Sequence, residues 1–159
     1  GLVDHHQRQC HRAVDAAAGE PGKYLVSQAG YFLVKANVVK QTPATVFVGV
    51  NSGFNHLIRP MMYDAYHHIE NISHPEGTQR IYTVVGNICE TDTFAWDRSI
   101  SEVREGDLLL FYNAGAYGFE MSSRFNARLR PAEVMLKGNK PLLIRKRETF
   151  EDLIHNQLY

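Results

Sequence analysis

Short apolar runs, separated by glycine, proline and asparagine, recur along most of this chain. Their β-branched content and length predict strands at residues 31–40, 45–50, 67–72, 79–87 and 108–112. The short connection between the first two predicts that they form an antiparallel pair. This pattern is typical of a mainly-β domain.

The C-terminal third predicts a hairpin followed by a helix. Residues 131–136 and 142–147 form its two strands, because Gly138-Asn139 supplies the positive φ angles that a tight hairpin turn needs. Thr149 is placed to cap a last helix, with Asp152 three residues further on in a capping-box arrangement.

One helical turn is predicted inside the β pattern, around residues 57–66, with Pro60 near its start. Helical spacing would place Arg59 and Tyr63 on one side of it, four residues apart. About eight short strands, this internal turn and the terminal helix predict a β sandwich or barrel. The segments at 87–98 and 113–130 are then loops held by the sheet.

Composition excludes several classes of function. The 159 residues are about one domain, and 17 Lys and Arg balance 17 Asp and Glu. The chain therefore has no net electrostatic field that would attract nucleic acid or an anionic membrane. No apolar run approaches the roughly 18 residues that span a bilayer. Two distant cysteines, Cys10 and Cys89, argue against a disulfide framework and favour the cytoplasm.

Residues 1–19 are expected to be a residual N-terminal segment, disordered or helical. They are polar and rich in histidine, and the short run at 13–19 is the only part with helical character. Histidines here lie near an aspartate and Cys10, but their spacing fits no standard zinc pattern. We therefore expect no metal site.

Cys89 is the first candidate for chemistry in the stretch from Asn87 to Arg130. It follows a predicted strand and lies beside Glu90 and Asp92. Nearby carboxylates raise the pKa of a thiol, so a proton donor or substrate contact fits better than a resting nucleophile. A small, structural core cysteine fits the same pattern equally well.

Two further features lie in the second loop. Gly115-Ala-Tyr117-Gly118 has glycines that allow the backbone to approach a ligand closely, although a bend with a core tyrosine explains it too. The segment from Ser122 to Arg130 carries three arginines spaced to contact an anion, and a solvated loop is its alternative interpretation.

Five ordered motifs turn these features into one hypothesis. They are Glu20-Pro-Gly-Lys23, Asn55-His-Leu-Ile-Arg-Pro60 with Tyr63-Asp-Ala-Tyr-His67, Gly86-Asn-Ile-Cys-Glu90, Asn113-Ala-Gly-Ala-Tyr-Gly118 and Ser123-Arg-Phe-Asn-Ala-Arg-Leu-Arg-Pro-Ala-Glu-Val134. The set closely resembles the C-terminal β domain of diaminopimelate decarboxylases, in the alanine racemase/ornithine decarboxylase group of pyridoxal-phosphate enzymes. The resemblance implies a Greek-key β barrel or sandwich of the alanine racemase C-terminal type over residues 20–159.

The family resemblance also implies a reaction. Its members decarboxylate meso-2,6-diaminopimelate to L-lysine with pyridoxal 5'-phosphate, as homodimers whose active sites are shared between subunits. Cys89 would lie near the reacting carbon in the partner's site, and Glu90 would pair with the distal amino group. Arg59 and Tyr63 match the pair that binds the distal carboxylate, a task suited to a planar guanidinium.

Other motif positions match cofactor contacts. Tyr117 would lie beside the cofactor phosphate and the substrate, and the backbone N–H of Gly22 would meet that phosphate. Lys23 stands where the family has arginine, so this substrate contact is expected to be weakened or water-mediated. Thr91-Asp-Thr93 replaces the usual Ser-Gly-Asp. Glu90, which is an aspartate in ornithine decarboxylases, supports diaminopimelate as substrate.

The lysine that holds the cofactor as a Schiff base lies in the family on a (β/α)8 barrel, which is expected to be absent from this chain. Such a barrel needs well over about 200 residues, whereas fewer than 20 precede Glu20. The chain alone is therefore expected to be inactive. Two alternatives stay open: a domain of a related decarboxylase for another diamino or basic amino acid, and a free-standing dimerisation module.

Overall fold

The computed structural model describes residues 22–89 and 91–158. The expectations for residues 1–19, for the first two residues of the Glu20-Pro-Gly-Lys23 motif and for Glu90 fall outside these ranges. Inside them the chain is mainly β, with three short helices.

Six strands form one sheet. They are β1 (Phe32–Gln41), β2 (Val46–Val50), β3 (Ile69–Asn71), β4 (Gln79–Val85), β5 (Thr93–Ser101) and β6 (Leu108–Phe111). Their order is β3-β6-β1-β2-β4-β5, and every pair is antiparallel except the parallel pair β2–β4. The edge strands β3 and β5 contact each other, so the sheet curls into a nearly closed barrel. The prediction of a mainly-β barrel domain is confirmed.

Alternation along the strands fills the barrel. Val34 and Ala36 of β1 point inward and are buried, while the alternating residues Leu33 and Lys35 are exposed. The side chains that complete the core share near-zero exposure: Val48, Val50, Leu57, Tyr82, Val84, Phe94, Ile100, Leu109 and Phe111. Phe94 and Phe111 pack edge to face, with ring centroids 5.3 Å apart.

The loop predicted at residues 87–98 is partly wrong, because β5 begins within it. Phe94 and Ala95 are buried in the core and pair with β4. Asp97 then adopts a positive φ of 48° where the register shifts, and its N–H reaches Thr83 Oγ1 at 3.5 Å. This irregularity places polar Asp97 and Arg98 in mid-strand, which hides the strand from a pattern search.

The C-terminal predictions are confirmed. Strands β7 (Glu133–Lys137) and β8 (Lys140–Arg145) form a separate antiparallel hairpin whose turn has φ angles of 53° at Gly138 and 64° at Asn139. The helix Phe150–Ile154 begins after Thr149, whose N–H donates to Asp152 Oδ2 at 2.7 Å. The three helices in chain order are α1 (Gly22–Val26), α2 (Arg59–Tyr63) and α3 (Phe150–Ile154).

Helix α2 confirms the predicted internal turn, with Pro60 in its first turn. It ends at Asp64, a residue in the left-handed region with φ 51°. Helix α1 begins at Gly22, where the sequence predicts only a turn, and passes into a 3-10 turn at Ser27–Ala29. In the described part of the chain no helix is long and apolar enough to cross a membrane.

Candidate functional site

A close backbone crossing joins the end of the first helical segment to the loop at residues 113–118. A Cβ on Gly115 would lie 2.0 Å from the Val26 carbonyl oxygen, so only glycine fits. Ala114 N–H donates to Gly30 O at 2.8 Å, and Gly115 N–H to Ser27 O at 3.0 Å. Gly115 therefore serves a close contact between two chain segments, which agrees with the interpretation of this loop as a bend.

That crossing brings Tyr117 to the start of α1. A Cβ built on Gly22 would meet the Tyr117 hydroxyl at 3.9 Å and no other atom within 4 Å among the described residues outside its chain neighbours. Tyr117 has a positive φ of 59° and is 46% exposed. It is therefore an accessible side chain held in an unusual conformation, and the core tyrosine considered from sequence is wrong.

Arg59 of α2 lies between two tyrosine rings. Its guanidinium carbon is 5.8 Å from the centroid of the Tyr63 ring and 5.7 Å from that of Tyr117. Both distances are within the range of a cation–π contact. The spacing that predicted Arg59 and Tyr63 on one side of a helix is confirmed, and the fold adds Tyr117 to the same group.

His67 lies beneath this cluster and is 3% exposed. Its Nδ1 donates to the Tyr112 carbonyl oxygen at 2.8 Å, since a carbonyl can only accept. Burial lowers the pKa of His67, and the positive charges of Arg59 and Lys23 lower it further, while the bond to Tyr112 opposes them. Arg59 thus contacts both tyrosine rings, Gly22 lies beside the Tyr117 hydroxyl, and the charges of Arg59 and Lys23 act on His67.

Sequence reasoning gave His67 no role, although it closes the motif that contains Arg59. The sequence around residue 67 shows only an apolar alternation. Nothing in it indicates that this histidine lies between two functional segments. His67 lies two residues before β3, which pairs with β6, the strand that leads into Tyr112 and the loop 113–118.

Cys89 contacts the second loop. It is exposed, and Asn126 Nδ2 donates to its Sγ at 3.5 Å. Nearby, Arg128 Nη2 donates to the Asn87 carbonyl at 3.1 Å. The hydrogen bonds of the described residues therefore link Cys89 to the second loop and not to Arg59 or Tyr117.

Asp92 organises the loop that carries Cys89. Its carboxylate accepts the N–H groups of Phe54 at 2.7 Å and Ile88 at 2.9 Å, and its side chain is buried. Burial raises the pKa of Asp92, and the two backbone donors offset part of that rise. A Cβ on Gly86 would lie 2.0 Å from this carboxylate. Asp92 is thus a structural brace, a role that the sequence did not indicate.

The arginines of the second loop bind an internal anion. Arg124 Nη2 and Arg130 Nη2 lie 2.9 Å and 2.6 Å from Glu148 Oε1, and Glu148 is 11% exposed. Hydrogen bonds first from Arg124 and then from Arg130 lower the pKa of Glu148 to about 2. The predicted anion contact is therefore satisfied within the domain for these two arginines, which also excludes a merely solvated loop.

Residues 52–56 connect the two loops. Ser123 N–H donates to Asn55 O at 2.7 Å. His56 Nε2 donates to Leu129 O at 3.1 Å, which leaves its Nδ1 to accept from Ser52 Oγ at 2.7 Å. Burial lowers the pKa of His56. A neutral histidine therefore fixes the arginine-rich segment against the barrel.

A near-closed β barrel with polar side chains gathered beside one helical turn defines a mainly-β domain with a candidate site beside that turn. The chain belongs to the pyridoxal-dependent decarboxylase family, and residues 23–115 match its C-terminal sheet domain.

Named relatives agree. The chain is 48% identical to diaminopimelate decarboxylase of Methanothermobacter thermautotrophicus, over 87% of this chain and 32% of the relative. It is 47% identical to that of Neisseria meningitidis serogroup B, over 87% and 34%. A crystal structure of the Methanocaldococcus jannaschii enzyme in complex with L-lysine superposes with a TM-score of 0.81 at 39% identity, over 87% of this chain and 32% of that one. The chain thus spans about a third of the relatives it matches.

Proposed function

We propose that residues 20–159 are the C-terminal domain of a decarboxylase that converts meso-2,6-diaminopimelate to L-lysine and CO2. One observation carries the proposal: Arg59 lies between Tyr63 and Tyr117, at the place where α1 meets the loop 113–118. The names of the relatives supply the substrate, and the arrangement supplies a cation with neutral hydroxyl groups around it.

The distal end of the substrate carries a carboxylate and an ammonium group. The planar guanidinium of Arg59 can donate two parallel hydrogen bonds to the carboxylate, and Tyr63 stands beside it to add a hydroxyl. Lys23 contributes a second positive charge as a flexible point donor. Glu90, outside the described residues, is proposed from the family motif to bind the ammonium group.

The described residues fit a phosphate group beside Gly22. Among the described residues outside its own helix, a Cβ on Gly22 would meet only the Tyr117 hydroxyl, and Lys23 adds positive charge. Gly22 N–H and Tyr117 would hold the phosphate of pyridoxal 5'-phosphate there, with the rest of the cofactor bound by a (β/α)8 barrel. The chemistry that the bound cofactor supplies is electron withdrawal, which accepts the electron pair left when CO2 departs.

Cys89 is proposed to donate a proton in the active site of a partner subunit, within a homodimer. Its exposure supports this, because an exposed thiol on a braced loop can reach a neighbouring surface. A cytoplasmic location, expected from cysteine usage, belongs to the same proposal.

The test uses the barrel-containing enzyme loaded with pyridoxal phosphate. Turnover of meso-2,6-diaminopimelate should exceed that of ornithine and arginine by orders of magnitude in kcat/KM. Equal or greater turnover of another basic amino acid would overturn the substrate assignment. That result would support the alternative, a sister decarboxylase, which Lys23 in place of the family arginine favours.

A further inference from the structure

Two buried polar atoms beside the Arg59 cluster have no hydrogen-bond partner among the residues that the structure describes. They are Arg59 Nε and His67 Nε2. A buried polar atom without a hydrogen-bond partner destabilises the folded state. Such atoms in a folded protein therefore call for a functional explanation.

The two atoms are chemically complementary. His67 Nδ1 carries the ring proton, because it donates to the Tyr112 carbonyl at 2.8 Å. In the neutral ring Nε2 can then only accept a hydrogen bond, whereas Arg59 Nε can only donate one. Burial and the nearby cations lower the pKa of His67, which supports the neutral ring.

We propose that His67 is a positioning residue for Arg59: its Nε2 accepts from Arg59 Nε–H when a ligand carboxylate engages the guanidinium. Because a guanidinium is planar, fixing Nε also fixes the plane of the two terminal nitrogens. Those nitrogens then face the carboxylate as a preorganised pair. The inference rests on the proposed function, in which Arg59 binds the distal carboxylate.

His67 would also couple the two halves of the site. Through Nδ1 it holds Tyr112, the residue just before the loop that carries Tyr117, and Tyr112 N–H donates back to His68 O at 2.9 Å. Through Nε2 it would hold α2. One imidazole therefore has a structural side and a ligand-directed side, and these can be separated by substitution.

Asparagine and glutamine provide that separation. His67→Asn keeps an amide donor near Nδ1 and removes the acceptor at Nε2. His67→Gln keeps an amide oxygen near Nε2 and loses the donor near Nδ1. The probe is L-lysine, whose carboxylate stands for the distal carboxylate of the substrate, with cadaverine as the matched ligand that lacks it. Both are titrated by calorimetry into the barrel-containing holoenzyme.

We expect His67→Asn to weaken L-lysine binding about tenfold, as for one lost hydrogen bond to a charged group, and to leave cadaverine binding unchanged. His67→Gln should bind L-lysine within about threefold of the unaltered enzyme, which is less than one such bond. In an Arg59→Lys background, His67→Asn should add no further loss, because lysine lacks the Nε donor. The opposite order, with Gln weaker than Asn, would overturn the inference and leave His67 as an anchor of Tyr112.

The unaltered protein gives a second measurement that does not depend on the stability of a variant. Saturation with L-lysine should slow hydrogen exchange of Arg59 Nε–H, as measured by NMR. The same spectra should show His67 in its Nδ1–H tautomer. Exchange of Nε–H that stays fast would contradict the proposal. Equal affinity of the unaltered enzyme for L-lysine and cadaverine is a different failure, since it would refute carboxylate binding at Arg59 and with it the proposed function.

Discussion

The guanidinium carbon of Arg59 lies 5.7 Å from the centroid of the Tyr117 ring, although 58 residues separate them in the chain. Helix α2 and the loop 113–118 are joined at this point, and the rest of the candidate site is arranged around it. Predictions about binding therefore begin with Arg59.

Replacing Arg59 by lysine should raise KM for meso-2,6-diaminopimelate by roughly ten- to a hundredfold, because a point charge cannot form the bidentate contact. Steady-state kinetics of the barrel-containing enzyme measure it. Arg80→Lys is the matched control, since Arg80 is an exposed residue paired with Glu102 at 3.5 Å. An unchanged KM in Arg59→Lys would remove Arg59 from the substrate site.

Cys89→Ser should lower kcat strongly and change KM little, because a hydroxyl is a much weaker proton donor than a thiol. The side chain is exposed, so the free energy of unfolding should change by less than about 0.5 kcal/mol. Rate measurements with equal amounts of folded enzyme test this prediction. A variant with full kcat would show that Cys89 has no catalytic role.

Asp92→Asn should destabilise the domain by about 2 kcal/mol. Both carboxylate oxygens accept a hydrogen bond from a backbone N–H group. In asparagine an NH2 group replaces one of these oxygens, so one backbone N–H would face another donor. Urea unfolding measures the loss. Asp97→Asn is the control and should be nearly neutral, because Asp97 is exposed at a φ of 48° that asparagine tolerates.

Glu148 should make stability depend on pH in the acid range. Its pKa falls from 4.5 to about 2 on folding. For a carboxylate with a lowered folded pKa, the contribution is complete above pH 4.5 and is lost as pH falls toward 2. One pKa unit corresponds to about 1.4 kcal/mol of unfolding free energy. Because the two arginines are partly exposed, the contribution of Glu148 is reduced to roughly 2 kcal/mol.

The corresponding variant is Glu148→Gln. Its deficit in unfolding free energy relative to the unaltered domain should be full at pH 7 and shrink steadily below pH 4.5, the ordinary pKa of this group. Glu76→Gln, on an exposed turn, serves as control and should show no such deficit. A deficit that is constant with pH would mean that the ion pairs do not stabilise the fold.

Gly115→Ala should cost at least about 2 kcal/mol of stability, because the new Cβ would overlap the Val26 carbonyl and force α1 away from the loop. Gly22→Ala provides the contrast, since its Cβ meets only the Tyr117 hydroxyl at 3.9 Å among described residues beyond its chain neighbours. It should keep its stability and lose affinity for pyridoxal phosphate. Thermal unfolding and cofactor titration separate the two effects.

Regular alternation and turn chemistry made much of the fold predictable. β1 buries Val34 and Ala36 and β2 buries Val48 and Val50, in each case two positions apart. Gly138-Asn139 has the positive φ angles that its sequence predicts. β5 was hidden because Asp97 interrupts its alternation in mid-strand. A local pattern cannot reveal such an irregularity, since its partner Thr83 lies on another strand.

The site residues also divide into those that the sequence predicted and those that it did not. Arg59 and Tyr63 followed from helical spacing together with a family motif. The braces did not follow, because Asp92, Glu148 and His67 act through partners distant in sequence. The role of a charged residue or a glycine depends on which residue the fold places opposite it.

The parallel pairing of β2 with β4 has a consequence for folding. A parallel pair needs a long crossover, and here residues 51–78 supply it, with α2 and β3 inside. Closure of that loop is slow and costs entropy, and α2 reaches its place only when the loop closes. Barrel closure and assembly of the Arg59 cluster are therefore one cooperative event. A compound that binds this cluster should raise the melting temperature of the whole domain, which makes thermal shift a screen for ligands.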